Sequence, residues 1–158
     1  MALDIDAYQA RVRGSPCFIC TVVDGTHQYR HHIVYRDDFC VAFLNRFPTL
    51  YGYCLLAPLE HREGVVADFA EDEHVQIQRV LHRLGRAISN VVPTERLYVL
   101  SLGSQQGNSH VHWHVAPLPP GVPYAEQQLR ALMHEHGYLS IPDEEQAALA
   151  AKIATAMR

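Results

Sequence analysis

The chain has no long hydrophobic run, and no apolar stretch approaches the roughly 18 residues that a membrane-spanning helix needs. Residues 1–6 are acidic and lack the basic and apolar regions of a secretory signal peptide. We therefore expect no transmembrane helix and no membrane partner, and we expect a cytoplasmic location.

Basic runs are also absent, and the formal net charge is −4. A protein that binds duplex nucleic acid through its phosphates needs clustered lysine and arginine side chains. The charge balance therefore argues against duplex nucleic acid as a partner.

Cysteine is scarce, with four residues in the chain. In a reducing compartment these thiols should stay free, so we do not expect a disulfide framework. Cys40 and Cys54 lie in predicted strands, where they are expected to be small core residues. Cys17 and Cys20 form a Cys-x-x-Cys pair.

Internal repeats, low-complexity tracts and linkers are missing. With 158 residues, of which 48% are hydrophobic and 19% charged, the chain is expected to form a single domain, 1–158, large enough to bury a core.

Apolar residues that alternate predict strands, and apolar residues at helical spacing predict helices. The predicted strands are 33–35, 39–45, 52–57, 97–102 and 111–116. The predicted helices are 4–13, a long helix from an N-cap signature at Asp68 to just before Pro93, 125–136, and a last one after Ser140. This order predicts an α+β fold, in which an antiparallel sheet of about five strands carries a long helix on one face.

Three histidines dominate the segment 107–115, where His110, His112 and His114 alternate with Val111 and Trp113. Successive side chains of a strand point to opposite faces, so a strand here would present all three imidazoles on one face. Val111 and Trp113 would then enter the core from the other face.

Two simpler interpretations of the same pattern stay open. A half-exposed strand also alternates polar and apolar residues, and surface histidines are common. A His-x-His strand can also bind zinc through neutral imidazoles, which would make all three histidines metal ligands.

The order His-Val-His-Trp-His-Val-Ala at 110–116 resembles the signature of the histidine triad (HIT) family of nucleotide hydrolases and transferases. Segments 34–45 and 51–61 resemble that family's first hairpin and second long strand. The resemblance runs from about Cys17 to about Gly121. It implies a HIT-like core over about 17–121, and residues from about 122 to 158 would then form a C-terminal helical extension.

The resemblance assigns the nucleophile to His112, which would attack phosphorus and form a covalent nucleotidyl intermediate. His114 would donate to a phosphate oxygen, and His110 completes the triad. The related transferases usually carry glutamine where this chain has His114. Histidine there favours a hydrolase acting on a nucleoside phosphoramidate or a dinucleoside polyphosphate. The alternatives are a nucleotidyltransferase or phosphorylase of the same superfamily, and a nucleotide-binding module without turnover.

A nucleotide substrate needs contacts for its ribose, base and phosphates, and we expect a purine ahead of a pyrimidine. By resemblance, Asn45 holds the position of the ribose ligand. The expected base-pocket residues are Phe39, Phe43 and Leu44, although Phe43 and Leu44 face opposite sides of a strand and one of them must be core. The polar loop before the triad should bind phosphate, with Gln106, Asn108 and Ser109 as candidates.

The Cys17-x-x-Cys20 pair is half of a tetrahedral zinc site. Redox chemistry is a weaker alternative, because no βαβ pattern surrounds the pair. A histidine cluster at His27, His31 and His32 could compete for an ion. In zinc-binding, bacterial-type HIT proteins such a pair is completed by two histidines, which correspond here to His61 and His110. The resemblance thus implies a closed, structural zinc.

Several positions depart from the family pattern. Ser101 stands where asparagine is usual, Tyr53 stands where histidine often follows glycine, and the tail after Gly121 is longer. Family members are commonly two-fold dimers, and the long helix and sheet edge are expected to leave apolar surface uncovered. We therefore expect a homodimer.

Overall fold

The computed structural model describes residues 5–158. Helices occupy Ile5–Gly14 (α1), Phe18–Val23 (α2), Glu71–Val91 (α3), Leu129–Leu132 (α4) and Asp143–Ala156 (α5). Strands occupy Ile33–Arg36 (β1), Cys40–Leu44 (β2), Cys54–Pro58 (β3), Arg96–Ser101 (β4) and Trp113–Leu118 (β5). The strands form one antiparallel sheet in the order β1-β2-β3-β5-β4, which confirms the predicted α+β architecture.

The sheet separates two apolar layers. One face packs against α3 and α5, and it includes Val111, Trp113 and Val115. The other face packs against α2 through Ile19 and Val22. Because side chains alternate along a strand, this division sends the triad histidines to the α2 side.

The long helix α3 contributes an apolar stripe to the first layer. Ile77, Val80, Leu84, Ala87 and Ile88 are buried at helical spacing. The helix ends at Val91, before Pro93, as predicted. Its predicted N-cap at Asp68 is wrong, because the helix is capped at Ala70 and begins at Glu71.

Asp68 makes a different contact that explains this error. Its carboxylate accepts the backbone N–H groups of Glu63 and Gly64, at 2.9 and 2.7 Å. The Ala70 N–H is instead satisfied by the Glu73 carboxylate at 2.9 Å. The glutamate three residues after the cap therefore completes the helix start without a capping side chain at Ala70.

The predicted helix over 125–136 is also wrong. That segment contains a 3₁₀ turn at Tyr124–Glu126, the short α4, and a second 3₁₀ turn at His134–His136. Gln128 has a positive φ of 59°, which interrupts any continuous helix. Contacts to other elements hold the chain instead: the Gln128 N–H donates to the Tyr98 hydroxyl, and the Leu139 N–H donates to the Pro48 carbonyl.

Smaller differences concern element ends. The last helix is capped at Pro142 rather than Ser140. The predicted first helix begins at residue 4, outside the described residues, and otherwise matches α1.

Cys40 and Cys54 are fully buried, as expected of core residues. Between residues 5 and 158, none of the helices is long and apolar enough to cross a membrane.

Candidate active site

The triad histidines lie where the chain enters β5. His110 and His112 come just before the strand and His114 is its second residue, so the regular strand begins two residues later than predicted from Val111. The extended segment still alternates, because Val111 and Trp113 are buried in the α3 layer. All three imidazoles consequently lie on the α2 side.

His112 has one ring nitrogen committed to the backbone. Its Nδ1 lies 2.7 Å from the carbonyl oxygen of His110, and only an N–H can donate to that oxygen. The other nitrogen, Nε2, therefore carries a lone pair. Burial lowers the pKa of His112, whose side chain is 4% exposed, so the ring is neutral at neutral pH. A neutral imidazole with a free Nε2 lone pair is the nucleophilic form.

Two neighbours hold His112 in place. The Ser101 hydroxyl at the end of β4 donates to the His112 carbonyl at 2.7 Å. The ring of Phe18, the first residue of α2, meets the imidazole edge-on at 5.7 Å between centroids. Ser101 thus holds the backbone of His112 through its side chain.

His114 lies beside His112, with 4.8 Å between the ring centroids. Its Nδ1 is 2.9 Å from the Tyr53 hydroxyl. Burial, followed by the nearby His112 and His134, lowers the pKa of His114 to about 3, which keeps the ring neutral. Its Nε2 is buried and has no hydrogen-bond partner among the described residues.

A second group of side chains converges at the N-terminal end of α2. One ligand atom from each of Cys17, Cys20, His61 and His110 lies within 4.8 Å of the others. The His110 Nδ1 is 3.4 Å from the Cys17 sulfur and 3.5 Å from the Cys20 sulfur, and the His61 Nδ1 is 3.5 Å from Cys20. Two thiols and two imidazoles around one point match the donor set of a structural tetrahedral zinc site.

The outer contacts of this cluster leave the inward nitrogens free to bind an ion. The His110 Nε2–H donates to the Pro58 carbonyl, and the His61 Nε2–H donates to the Glu63 carboxylate, both at 3.0 Å. Such partners orient histidine ligands in metal sites. Burial and the adjacent Cys17 thiol raise the pKa of Cys20 to about 11.

The other histidines lie elsewhere. The His31 Nε2 is 3.1 Å from the His27 Nδ1, and His32 pairs with Asp143 at 3.0 Å. These three do not join the four-residue cluster, and neither do His112 and His114. The geometry therefore favours a Cys₂His₂ site over a three-histidine site.

The loop before the triad is held by α1, which sequence reasoning did not connect to the site. The Asn108 amide donates to the Tyr8 hydroxyl at 2.9 Å, and Arg13 donates to the Gln106 side chain at 3.1 Å. The helix approaches so closely that a Cβ on Gly107 would lie 2.7 Å from a Val12 methyl. The sequence predicts Tyr8 and Val12 as part of a short helix. It contains no local pattern that predicts the contact of that helix with the loop before the triad.

A cleft of about 530 Å³ opens between α1, α2 and this loop. Its lining includes Phe18, Ser109 and His110, together with the exposed Arg11 and Arg13. None of the described residues that line it carries a carboxylate. The cleft therefore suits an anionic group next to the triad.

The four other nucleotide-contact candidates divide between the two faces of the sheet. Phe43 is fully buried on the α2 side, together with Tyr53. Phe39 and Leu44 pack in the α3 layer, away from the histidines. Asn45 follows the end of β2, and its side-chain oxygen accepts the Phe47 N–H at 3.1 Å.

A family model for the HIT domain matches residues 26–120, the region that carries the sheet and all three histidines. The chain belongs to the HIT family. Members of this family bind nucleotides and are generally nucleotide hydrolases or transferases. A HIT-like protein of Saccharolobus solfataricus is 30% identical over 105 residues, which covers 64% of this chain and 73% of that protein.

Solved HIT structures share the fold. A hypothetical histidine triad nucleotide-binding protein from Sulfolobus tokodaii superposes with a TM-score of 0.68 at 20% identity, over 89% of this chain and 91% of that one. A zinc-bound histidine triad family protein from Mycobacterium smegmatis gives a TM-score of 0.67 at 19% identity, over 89% and 92% of the two chains.

Proposed function

We propose that this HIT protein is a nucleotide hydrolase that cleaves the bond between an α-phosphate and its leaving group. The substrate is a nucleoside phosphoramidate or a dinucleoside polyphosphate. The observation that carries the proposal is the 2.7 Å contact between His112 Nδ1 and the His110 carbonyl, because it leaves Nε2 as a lone pair in a buried, neutral ring.

The reaction has two displacements. In the first, the His112 Nε2 lone pair attacks the α-phosphorus, an N–P bond forms, and the bond to the leaving group breaks. The leaving group departs with that electron pair and takes up a proton. In the second, a water oxygen attacks the same phosphorus, loses a proton, and displaces His112, which regains its lone pair.

We assign the nucleotide contacts to the α2 side of the sheet, where the three imidazoles lie. Phe43 lies on that side and is proposed to line the base pocket, with a purine favoured, while Asn45 at the end of β2 is proposed to bind the ribose. Phe39 and Leu44 lie in the opposite layer, so we assign them to the core. Gln106, Asn108 and Ser109, together with loop N–H groups, are proposed to bind phosphate.

The cleft beside the triad supports a leaving group with negative charge. Arg11 and Arg13 are exposed residues of its lining, and guanidinium groups pair well with phosphate oxygens. This arrangement favours a dinucleoside polyphosphate, whose leaving group is itself a nucleotide.

We also propose that Cys17, Cys20, His61 and His110 hold one structural zinc. All four ligand positions would be filled by protein, so the ion would take no part in the displacement itself. It would tie α2, the segment after β3 and the triad segment together at one point. His110 would then position His112, whose Nδ1–H it accepts through its carbonyl.

The test is turnover of an adenosine phosphoramidate and of a diadenosine polyphosphate by the wild type and by His112→Asn. We expect His112→Asn to lose turnover by at least about a thousandfold, with nucleotide affinity within about tenfold of the wild type. His136→Asn, at an exposed position, is the matched control. Near-normal turnover by His112→Asn would overturn the proposal. Binding without turnover in the wild type would indicate a binding module, and faster release to an added acceptor than to water would indicate a transferase.

A further inference from the structure

Tyr53 is a buried phenol that the proposed chemistry does not yet use. It precedes β3, is 4% exposed, and is held by backbone bonds at both sides: its N–H donates to Leu50 and its carbonyl accepts from Asn45. Its ring meets His114 edge-on, with 5.8 Å between centroids, and its hydroxyl is 2.9 Å from the His114 Nδ1. No other side chain in the described structure is a hydrogen-bond partner of that hydroxyl.

The position of the shared proton follows from this geometry. Burial raises the pKa of the Tyr53 phenol, so the hydroxyl keeps its hydrogen. If the His114 Nδ1 were the donor, the phenol hydrogen would be buried without an acceptor. The favourable arrangement has the phenol donating to Nδ1, and a neutral imidazole that accepts at Nδ1 carries its hydrogen on Nε2.

We propose that Tyr53 is a positioning residue that holds His114 as the Nε2–H tautomer, so that this ring presents a hydrogen-bond donor to the phosphate on His112. The catalytic role of Tyr53 rests on the proposed function. The tautomer of His114 does not, because it is a property of the protein without substrate.

The two neighbouring histidines thereby take opposite tautomers. His112 donates at Nδ1 to a backbone carbonyl and keeps a lone pair at Nε2. His114 accepts at Nδ1 from Tyr53 and carries a hydrogen at Nε2. The two imidazoles, whose ring centroids are 4.8 Å apart, thus take different roles. The carbonyl at Nδ1 makes His112 the nucleophile, and the phenol at Nδ1 makes His114 the donor.

The unpartnered Nε2 of His114 agrees with this role. A buried polar atom without a partner is unfavourable, and native structures keep few of them. A phosphate oxygen on the substrate would satisfy it, and the bond would strengthen as negative charge develops on that oxygen in the transition state. A neutral imidazole that keeps its hydrogen on Nε2 can donate to the phosphate in both displacements without changing its protonation state.

The test combines nitrogen NMR of histidine-labelled protein with kinetics. At neutral pH the wild type should show His112 as the Nδ1–H tautomer and His114 as the Nε2–H tautomer. In Tyr53→Phe, the His114 Nδ1 resonance should move toward the chemical shift of an imidazole nitrogen that accepts no hydrogen bond. His112 should keep its tautomer. We expect kcat to fall about tenfold or more and KM to change less than about threefold.

Two further variants separate positioning from packing. Incorporation of para-aminophenylalanine at position 53 restores an N–H donor and should restore the His114 resonance and most of kcat. Tyr98→Phe removes a hydroxyl from the same face that bonds the Gln128 N–H rather than His114, and it should change neither the His114 resonance nor kcat. The proposal is overturned if wild-type His114 is the Nδ1–H tautomer, or if Tyr53→Phe leaves the His114 Nδ1 resonance unchanged. A wild type without turnover would defeat the proposed function, but the spectra would still decide the tautomer.

Discussion

Single hydrogen bonds decide what each triad histidine can do. His110 uses Nε2 on the Pro58 carbonyl and turns Nδ1 toward two thiols. His112 uses Nδ1 on a carbonyl, and His114 uses Nδ1 on a phenol. The sequence shows three equivalent imidazoles, and only their partners distinguish the proposed metal ligand, the proposed nucleophile and the proposed donor.

His114→Asn should lower kcat on the order of a hundredfold, because it removes one donor to the transition state and leaves the nucleophile intact. Single-turnover and steady-state rates of hydrolysis would measure the loss. His136→Asn should retain full activity. A His114→Asn enzyme within about threefold of the wild type would show that this ring donates nothing to the reaction.

At the scale of elements, some structure was predictable because the signal is local. The stripe from Ile77 to Ile88 indicates a helix by its spacing alone, and the alternation across 110–115 indicates an extended segment. The helix over 125–136 was mispredicted because its backbone groups bond to distant elements, such as Tyr98. Tyr53 and His114 lie 61 residues apart, so no local pattern could show their contact.

Substitution of Cys17 or Cys20 should destabilise three parts of the chain at once, because the proposed zinc joins α2, the segment after β3 and the triad segment. Cys20→Ser should lose the metal and lower the melting temperature by several degrees, since part of the binding free energy is folding free energy. Elemental analysis of the wild type, purified without chelator, should give about one zinc per chain.

Cys54→Ser is the control for this experiment, because that thiol lies in the core rather than in the cluster. It should keep the metal even where it lowers stability. Wild-type protein without metal, together with unchanged melting of Cys20→Ser, would show that the pair is only two free thiols.

The start of α3 should respond to acid through Glu73. Its carboxylate accepts from Arg62 at 2.8 and 2.9 Å, and these bonds, followed by the Ala70 N–H, lower its pKa from 4.5 to about 2. A carboxylate whose pKa is depressed on folding contributes stability above its unfolded pKa, and the contribution is lost as the pH falls through the folded pKa.

Glu73→Gln should therefore melt below the wild type at pH values above about 5, and the difference should shrink as the pH falls from about 4.5 toward 2. Thermal melts across that range measure the effect. Glu71→Gln, on the same turn, should show a smaller difference. A difference for Glu73→Gln that does not depend on pH would contradict this account.

At the scale of the whole molecule, β4 forms one edge of the sheet and keeps apolar side chains in solvent. Val99 is 44% exposed on that strand, and Leu102, just beyond it, is 57% exposed. An edge strand with exposed apolar side chains is a surface for pairing. We propose that two copies of the chain associate through this edge and the adjacent side of α3.

Light scattering at tens of micromolar should therefore give twice the chain mass of 17.9 kDa. Val99→Glu should shift the protein toward the monomer, because it places a charge at the proposed interface. Val66→Glu, at a position that is 71% exposed before α3, should remain dimeric. A monomeric wild type with full activity would refute the assembly.

The stereochemistry of hydrolysis tests most directly whether His112 forms a covalent bond to phosphorus. The substrate carries one sulfur on its α-phosphorus, so that isotopically labelled water makes the product phosphorus chiral. Each in-line displacement inverts the configuration. Two displacements through His112 predict net retention, and net inversion would mean that water attacks the substrate directly, which would contradict the account.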